Sequence, residues 1–378
     1  MIRILARVRF TGVIPALILG LVASLAQAQS KGEPIIIGQS AALTGTYEDL
    51  GKEFKRGAEV QFEAVNQAGG INGRPITLTS LDDAGDGAKA KANTQKLIAD
   101  GALALFGYTD TLTAQAALPL LADAKLAFIA PVSGADILRE PVNRQVFNIR
   151  ASFRDEAEEM VGQLTKRGIS KIAVFYQNDV HGRAGLAAVE AALQKHKLQI
   201  FLVATIDRAA PKIPSAVDSL SKSAAEAVVM IASPVASAAF IRGMKKAGST
   251  IQFCNFSTVN ANALARELGD EGRGVQIAQV VPFPYSESTP LGREYLKRIG
   301  GAEKASFASF EGYIAARVLV EGLKKAGKKL SRESLVDALG GMATLDLSGY
   351  RLAYSATDHG GSKLVELTII SGTNTFRR

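Results

Sequence analysis

The sequence predicts an α/β fold of two doubly wound lobes. Short apolar β-branched runs alternate with longer segments of amphipathic helical spacing at least four times before residue 150. A parallel sheet requires this pattern, because its strands need helical crossovers and both its faces need cover. The alternation begins again after Arg150 with a unit of similar size, so the chain reads as two lobes rather than one. The passage VVPFPYSESTP, starting at Val280, suits neither strand nor helix and reads as a crossing between them. A length of 378 residues with 47% apolar residues suits two ordinary domains.

Pro34 to Gly38 is the first buried strand, followed by the loop Gln39 to Thr46 and a helix from about Gly51 to Ala68, which Gly69-Gly70 stops. Asn72-Gly73 marks a turn, Pro75 to Leu81 a strand and Asp86 to Asp100 a helix. Leu103 to Phe106 is too short for a helix and ends at Gly107. Leu112, Ala116 and Leu120 then line one side of a helix. Leu126 to Ala130 is a strand and Pro131 to Gly134 its turn. The second unit contains helices at 155–167, 182–196, 215–223 and 234–247, and strands at 171–176, 198–206, 227–232, 251–256 and 274–281. Beyond the crossing lie the helix Phe307 to Ala326, a helix capped at Ser331 by Ser-x-x-Ser rather than a capping box, and strands near Tyr350 to Tyr354 and Leu364 to Ile370.

Residues 1–28 read as an export signal outside the fold. Arg3, Arg7 and Arg9 precede an apolar stretch, Val13 to Leu25, too short to span a bilayer, and Ala26-Gln27-Ala28 is a small-x-small cleavage site. The expected mature chain begins at Gln29 in the periplasm, and losing three arginines takes the formal charge from +8 to +5. That charge is mild, no run of like charges is concentrated, and tryptophan is absent, which argues against a nucleic acid partner. The single cysteine, Cys254, offers neither a disulfide nor a lipid attachment point near the cleavage site, and reads as a small core residue.

The sequence carries no catalytic signature. Its three histidines are His181, His196 beside Lys195 and Lys197 at a helix end, and His359 in what reads as the turn Asp358-His359-Gly360-Gly361. No G-x-S-x-G elbow, H-E-x-x-H helix or G-x-G-x-x-G turn is present. GTYEDLGK, from Gly45 to Lys52, misses the phosphate-loop spacing and carries two acidic residues. No enzyme activity, cofactor or metal is expected. Asp82-Asp83 reads as a turn or cap, and Tyr176 and Tyr313 as packing residues.

Ligands of open α/β sheets bind beyond the carboxyl ends of the strands. The turns expected there are 39–47, 108–111, 132–134, 177–181, 233–235 and 257–260, the last two containing Pro234 and Ser257. Thr109, Asp110 and Thr111 stand at a helix N-terminus, where unpaired N–H groups and the helix dipole receive an anion. The same residues are also favoured N-caps, so simple capping is the alternative.

Several segments together resemble the periplasmic type I solute-binding proteins of ABC importers, in the leucine, isoleucine and valine branch. The carriers are IIIGQSAALTGTYEDLGKEFKRGAEVQFEAVNQAGGINGRPI, LDDAGDGAKAKANTQKLIADG, LFGYTDTLTAQAALPLLADAKLAFIAP, YQNDVHGRAGLAAVEAAL, FSTVNANALARELG and FEGYIAARVLVEGLKKAG, spread over about residues 34 to 370, with N-x-x-G-G-I-x-G-R the most specific part. The resemblance implies a non-enzymatic protein whose lobes, joined by three crossings, close on a small molecule and present it to an inner-membrane ABC permease. It implies a division into 29–152 plus 282–360 and 153–281 plus 361–378, and a monomer is expected. Carried over residue by residue, the hydroxyl and amides that hold a ligand carboxylate fall on Thr111 and on Val132, Ser133 and Gly134. The aromatic covering the ligand falls on His181, before Gly182, where Tyr or Phe is usual. Ser257 stands where amino-acid-binding members place the carboxylate that meets the ammonium.

The expected ligand is therefore a small organic anion held at Thr111, with Tyr47, Tyr108 and His181 adding stacking and polar contacts. A second expectation keeps the fold but makes the ligand an amino acid with Asp110 or Glu311 facing its ammonium; a third is a sensor that signals to a membrane receptor.

Overall fold

The computed structural model describes residues 32–209 and 211–378; the export signal expected over residues 1–28 lies outside them. The elements, in chain order, are β1 Ile35–Ala41, α1 Glu48–Gln67, β2 Ile76–Asp82, α2 Gly87–Ala99, β3 Ala104–Phe106, α3 Thr111–Ala124, β4 Ala127–Ile129 and β5 Val146–Phe147. There follow α4 Phe153–Lys166, β6 Ile172–Gln177, α5 Val180–Lys195, β7 Val203–Ile206, α6 Ile213–Ser221, β8 Ala227–Ile231, α7 Pro234–Lys246, β9 Gln252–Asn255, α8 Ala261–Leu268 and β10 Gln276–Gln279. The chain closes with α9 Pro290–Ile299, α10 Phe307–Ala326, α11 Arg332–Gly340, β11 Thr344–Asp346, β12 Arg351–Ser355, β13 Asp358–Gly361, β14 Glu366–Gly372 and β15 Thr375–Arg377.

Strands β1 to β5 form one parallel sheet in the order β2-β1-β3-β4-β5. A second sheet runs β15-β14-β10-β9-β8-β6-β7, parallel from β6 to β10, with β14 and β15 added antiparallel at one edge. Both are doubly wound α/β sheets, as the alternation predicts. Their central strands are apolar because helices cover both faces: every residue of β3, β4 and β8 is buried. The chain passes between the two lobes three times, after β5, after β10 and between β13 and β14. One side chain ties these passages together. The Tyr350 hydroxyl donates to Ile149 O at 2.5 Å and approaches Val280 O at 3.4 Å, while Ser362 N donates to the same Ile149 carbonyl at 3.2 Å.

Several local expectations need correction. The strand expected from Leu198 begins only at Val203, and the Pro-rich passage leads directly into α9, which Pro290 starts and Thr289 caps through Gly292 N. His359 is not in a turn but in β13, buried, stacked on Phe147 at 4.5 Å, with Nδ1 2.9 Å from Val146 O. Its strand completes the small β11-β12-β13 sheet, and Asn148 N donates to its carbonyl at 3.0 Å. At Ser331 the cap is reciprocal after all, because the Ser334 hydroxyl accepts from Ser331 N at 2.8 Å, doing the work a longer acidic side chain does elsewhere.

Helix α10 is buried along most of its length and packs on α1 through glycine on both sides. A Cβ at Gly57 would lie 1.7 Å from Ser309 O, and one at Gly312 would lie 1.9 Å from Phe54 O. The backbones touch there, which fixes where α10 presents Glu311. Gly57→Ala or Gly312→Ala is therefore expected to destabilise the protein by about 1–3 kcal/mol through overpacking, seen as a lower urea midpoint. An unchanged midpoint in both variants would contradict the contact.

Candidate functional site

The loops at the carboxyl ends of the two parallel sheets meet, and their polar side chains sort into three groups. The first is a column of hydroxyls around one imidazole. Thr111 opens α3 and is fully buried; its Oγ1 lies 2.7 Å from Ser133 Oγ and 3.4 Å from His181 Nδ1. On the far side of the ring, His181 Nε2 lies 3.3 Å from Thr258 Oγ1. Phe153 meets the imidazole edge-on at 5.3 Å and holds its plane. Burial, opposed by Asp110 and Asp179, keeps the His181 pKa below its ordinary value, so the ring is neutral at pH 7. It then donates from one nitrogen and accepts at the other.

The capping alternative fails at this helix. Asp110 is the N-cap residue of α3, but its side chain makes no cap bond. Its Oδ2 accepts from Arg208 Nη1 at 2.8 Å instead, and the Thr109 hydroxyl accepts from Ala42 N at 3.0 Å. The first turn of α3 thus lacks a side-chain cap while its hydroxyl faces the second lobe.

Arg208, in the loop after β7, organises the second group at the mouth. Beyond Asp110 it donates to Asp179 Oδ2 at 3.1 Å and to Gly85 O at 3.0 Å, and its guanidinium lies 5.1 Å from the Tyr47 ring centroid. Asp110, Gly85 and Tyr47 belong to the loops of the first sheet, so this one cation joins the lobes. Tyr47 is itself buried, with its hydroxyl 3.5 Å from Gln177 Nε2. Tyr47, Gln177, Arg208, Ser233 and Val235 border an open cleft of about 290 Å³.

The third group lies deeper, beside the passages between lobes. Arg150 is 1% exposed; its Nη2 donates to Ser257 Oγ and its Nε lies 3.3 Å from Glu311 Oε1. Glu156, fully buried, accepts from Ser257 N at 2.7 Å and Ser257 Oγ at 3.0 Å. Burial raises both carboxyl pKa values, against the pull of Arg150. Arg150, Ser257 and Glu311 border a chamber of about 10 Å³, room for about one water molecule, whose other walls include Val132, Thr258 and Phe307. Arg139 clamps the neighbouring backbone, donating to Ser133 O, Ala135 O and Arg150 O at 3.0, 3.2 and 3.1 Å.

Of the residues singled out from the sequence, Thr111, Ser133 and His181 come together, Val132 and Ser257 line the inner chamber, and Tyr47 and Asp110 gather at Arg208. Others do not join them. Tyr108 points into the core of the first lobe, its hydroxyl 2.8 Å from Thr94 Oγ1 and its ring 4.9 Å from Phe128, because the positive φ of Gly107 turns the chain just before it. The amides of Val132 and Ser133 already donate to Tyr108 O and Pro131 O at 2.8 and 2.9 Å, so what Ser133 has left to offer is its hydroxyl. Gly134 gives its carbonyl to Phe153 N and has no room for a Cβ, which would lie 2.5 Å from that nitrogen. Pro234 begins α7, buried behind the N-cap Ser233. Asp82 and Asp83 hold turns: Asp82 accepts from Leu43 N and the Thr44 hydroxyl, Asp83 from Ser40 and Gly85 N. Arg150, Arg208 and Glu156 were not foreseen. Arg150 alone had a signal, as the single charge ending the apolar run VFNIR.

Residues 34–372 match the family described as periplasmic binding protein. An amino acid binding protein of Pseudomonas aeruginosa is 26% identical over 302 residues, 78% of this chain and 79% of that protein. A Leu/Ile/Val-binding protein homolog of Brucella melitensis is 28% identical over 162 residues; that match spans 43% of this chain and 44% of the relative. Among solved structures, a possible leucine/isoleucine/valine-binding protein from Rhodopirellula baltica superposes with a TM-score of 0.87 at 29% identity, covering 92% of this chain and 96% of that one.

Two outcomes follow from the mouth of the cleft. Arg208→Gln removes about 1–3 kcal/mol of charged hydrogen bonding between the lobes, so spin labels on the two lobes of the ligand-free protein should report longer, broader distances than in the parent chain. Identical distance distributions would show that Arg208 does not join the lobes. Asp83 is pushed up to about 6, chiefly by burial. A folded-state value above the unfolded one adds stability that is complete below the ordinary carboxylate range and lost as pH rises through about 6. The melting temperature should therefore fall between about pH 4 and pH 6.5, and less so in Asp83→Asn; equal falls would assign the effect elsewhere.

Proposed function

We propose, from the premise that this chain belongs to the periplasmic binding protein family, that it captures a small carboxylate-bearing solute between its lobes and delivers it to an ABC permease of the inner membrane. Proteins of this family bind solutes and are not enzymes. Among the described residues no helix is long and apolar enough to cross a membrane. The reading takes residues 29–152 with 282–360 as one lobe and 153–281 with 361–378 as the other, working as a monomer in the periplasm.

One observation carries it. Thr111 Oγ1, at an α3 N-terminus without a side-chain cap, stands within 3.4 Å of both Ser133 Oγ and His181 Nδ1, so hydroxyls from one lobe and a neutral ring from the other converge on one point. Hydroxyls beside the positive end of a helix dipole favour a carboxylate oxygen, and a ligand bound there touches both lobes at once. Closure is then coupled to occupancy, because the closed form gains contacts that the open form lacks.

A second reading adds an ammonium to the ligand. It is favoured by the inner chamber, where Glu311 lines the wall and the Glu156 carboxylate is bonded to Ser257, at the position where amino-acid-binding members carry an acid of their own. The names of the relatives, which bind amino acids, point the same way.

Thermal-shift and calorimetric titration with benzoate, 4-methylpentanoate and L-leucine tests both. Thr111→Ala should weaken the carboxylate that binds by about 1–3 kcal/mol, with Thr111→Ser close to the parent. Equal binding by the parent and Thr111→Ala would remove Thr111 from the site. If L-leucine binds and 4-methylpentanoate does not, the ligand carries the ammonium.

A further inference from the structure

The Arg150 guanidinium is in an unusual state. It is 1% exposed, yet Nε and Nη1 have no hydrogen-bond partner; Nε sits 3.3 Å from Glu311 Oε1 without the alignment of a bond, and only Nη2 donates, to Ser257. Guanidinium N–H groups withdrawn from water are costly when no acceptor meets them. Here they border the inner chamber, together with Val132, Ser257, Thr258 and Glu311. Val132 adjoins Ser133, and Thr258 touches the His181 ring that touches Thr111, so Thr258 stands between the chamber and the hydroxyl column.

The spacing between these two places is fixed. Arg139 donates to carbonyls at Ser133 and Ala135 and, with its other nitrogen, at Arg150, so the turn bearing Ser133 and the residue bearing the open guanidinium are tied as one piece. The guanidinium cannot swing to water without leaving the buried Glu311 carboxylate beside it unpaired.

We infer that Arg150 is the charged anchor of the ligand, donating from Nη1 to a carboxylate oxygen whose other contacts are the hydroxyls of Thr111 and Ser133. The inference rests on the reading of a carboxylate ligand and adds a residue and a charge to it. A guanidinium presents paired donors in a plane that suits a carboxylate, whereas hydroxyls alone do not distinguish a carboxylate from its neutral amide. The anchor therefore sets the chemical class: an ionised acid, in preference to its uncharged isostere. Glu311, whose carboxylate lies against Nε, holds the guanidinium from behind and leaves Nη1 for the guest.

The test uses the full mature chain and whichever of benzoate, 4-methylpentanoate and L-leucine binds, each beside its primary amide. The parent should favour the acid over the amide by about 10- to 100-fold, the range of a charge-assisted bond. Arg150→Lys should lose most of that preference, since an ammonium on a straight stem lacks the planar fork. The double variant Arg150→Gln/Glu311→Gln removes the pair together, so that no buried carboxylate is stranded, and should bind acid and amide alike. A purely structural role would weaken acid and amide together and keep their ratio. A parent-like ratio in both variants overturns the inference while leaving the Thr111 site standing. Failure of all three acids to bind the parent overturns both.

Discussion

A guanidinium taken out of water must be met by oxygen, and three arginines impose that demand where the two lobes face each other. Arg139 spends its hydrogens on backbone carbonyls at 133, 135 and 150. Arg208 spends its own on two carboxylates and a carbonyl drawn from both lobes. Arg150 is the exception, with hydrogens left over in a closed chamber. The first fixes a distance, the second joins the lobes, and the third leaves a place to be filled. Each role follows from the same rule that buried donors need acceptors.

The scaffold serves these three groups more than it serves general compactness. Loops at strand ends bring Thr111, Ser133, His181 and Thr258 into line because both parallel sheets point their carboxyl ends at the same gap. The glycine contact between α1 and α10 fixes the height at which Glu311 stands behind Arg150. Tyr350, far along the chain, holds the passages from the first lobe and from β10 with one hydroxyl, so these passages form a tied seam rather than free linkers.

Much of this was legible in the residues. Period and run length gave the parallel strands, since fully buried strands announce themselves as unbroken apolar runs. Thr111, Ser133 and His181 were legible because they stand in turns after such strands. What was missed has a physical pattern. His359 looked like a turn residue because Asp and Gly surround it, but antiparallel pairing with β12 made its segment a strand, and its ring stacks on Phe147 of β5. Tyr108 follows a glycine, and the direction of its side chain is decided there, by a backbone angle rather than by residue type. Arg150 escaped because a charge gives no hint of its partner when that partner is more than a hundred residues away, as Ser257 is, and Arg208 because its partners Gly85, Asp110 and Asp179 stand in three separate loops.

The pairing of α1 with α10 also has a temporal side. A chain leaving the ribosome delivers β1 to β5 first, then the parallel strands β6 to β10 of the second sheet, and only afterwards α10, which packs on α1 at Gly57. The second lobe's parallel core therefore has its strands in hand before the first lobe can finish, and the amino-terminal half waits with the Gly57 side of α1 uncovered. A chain arranged in this way completes the lobe it begins only after the other lobe's parallel strands have been made.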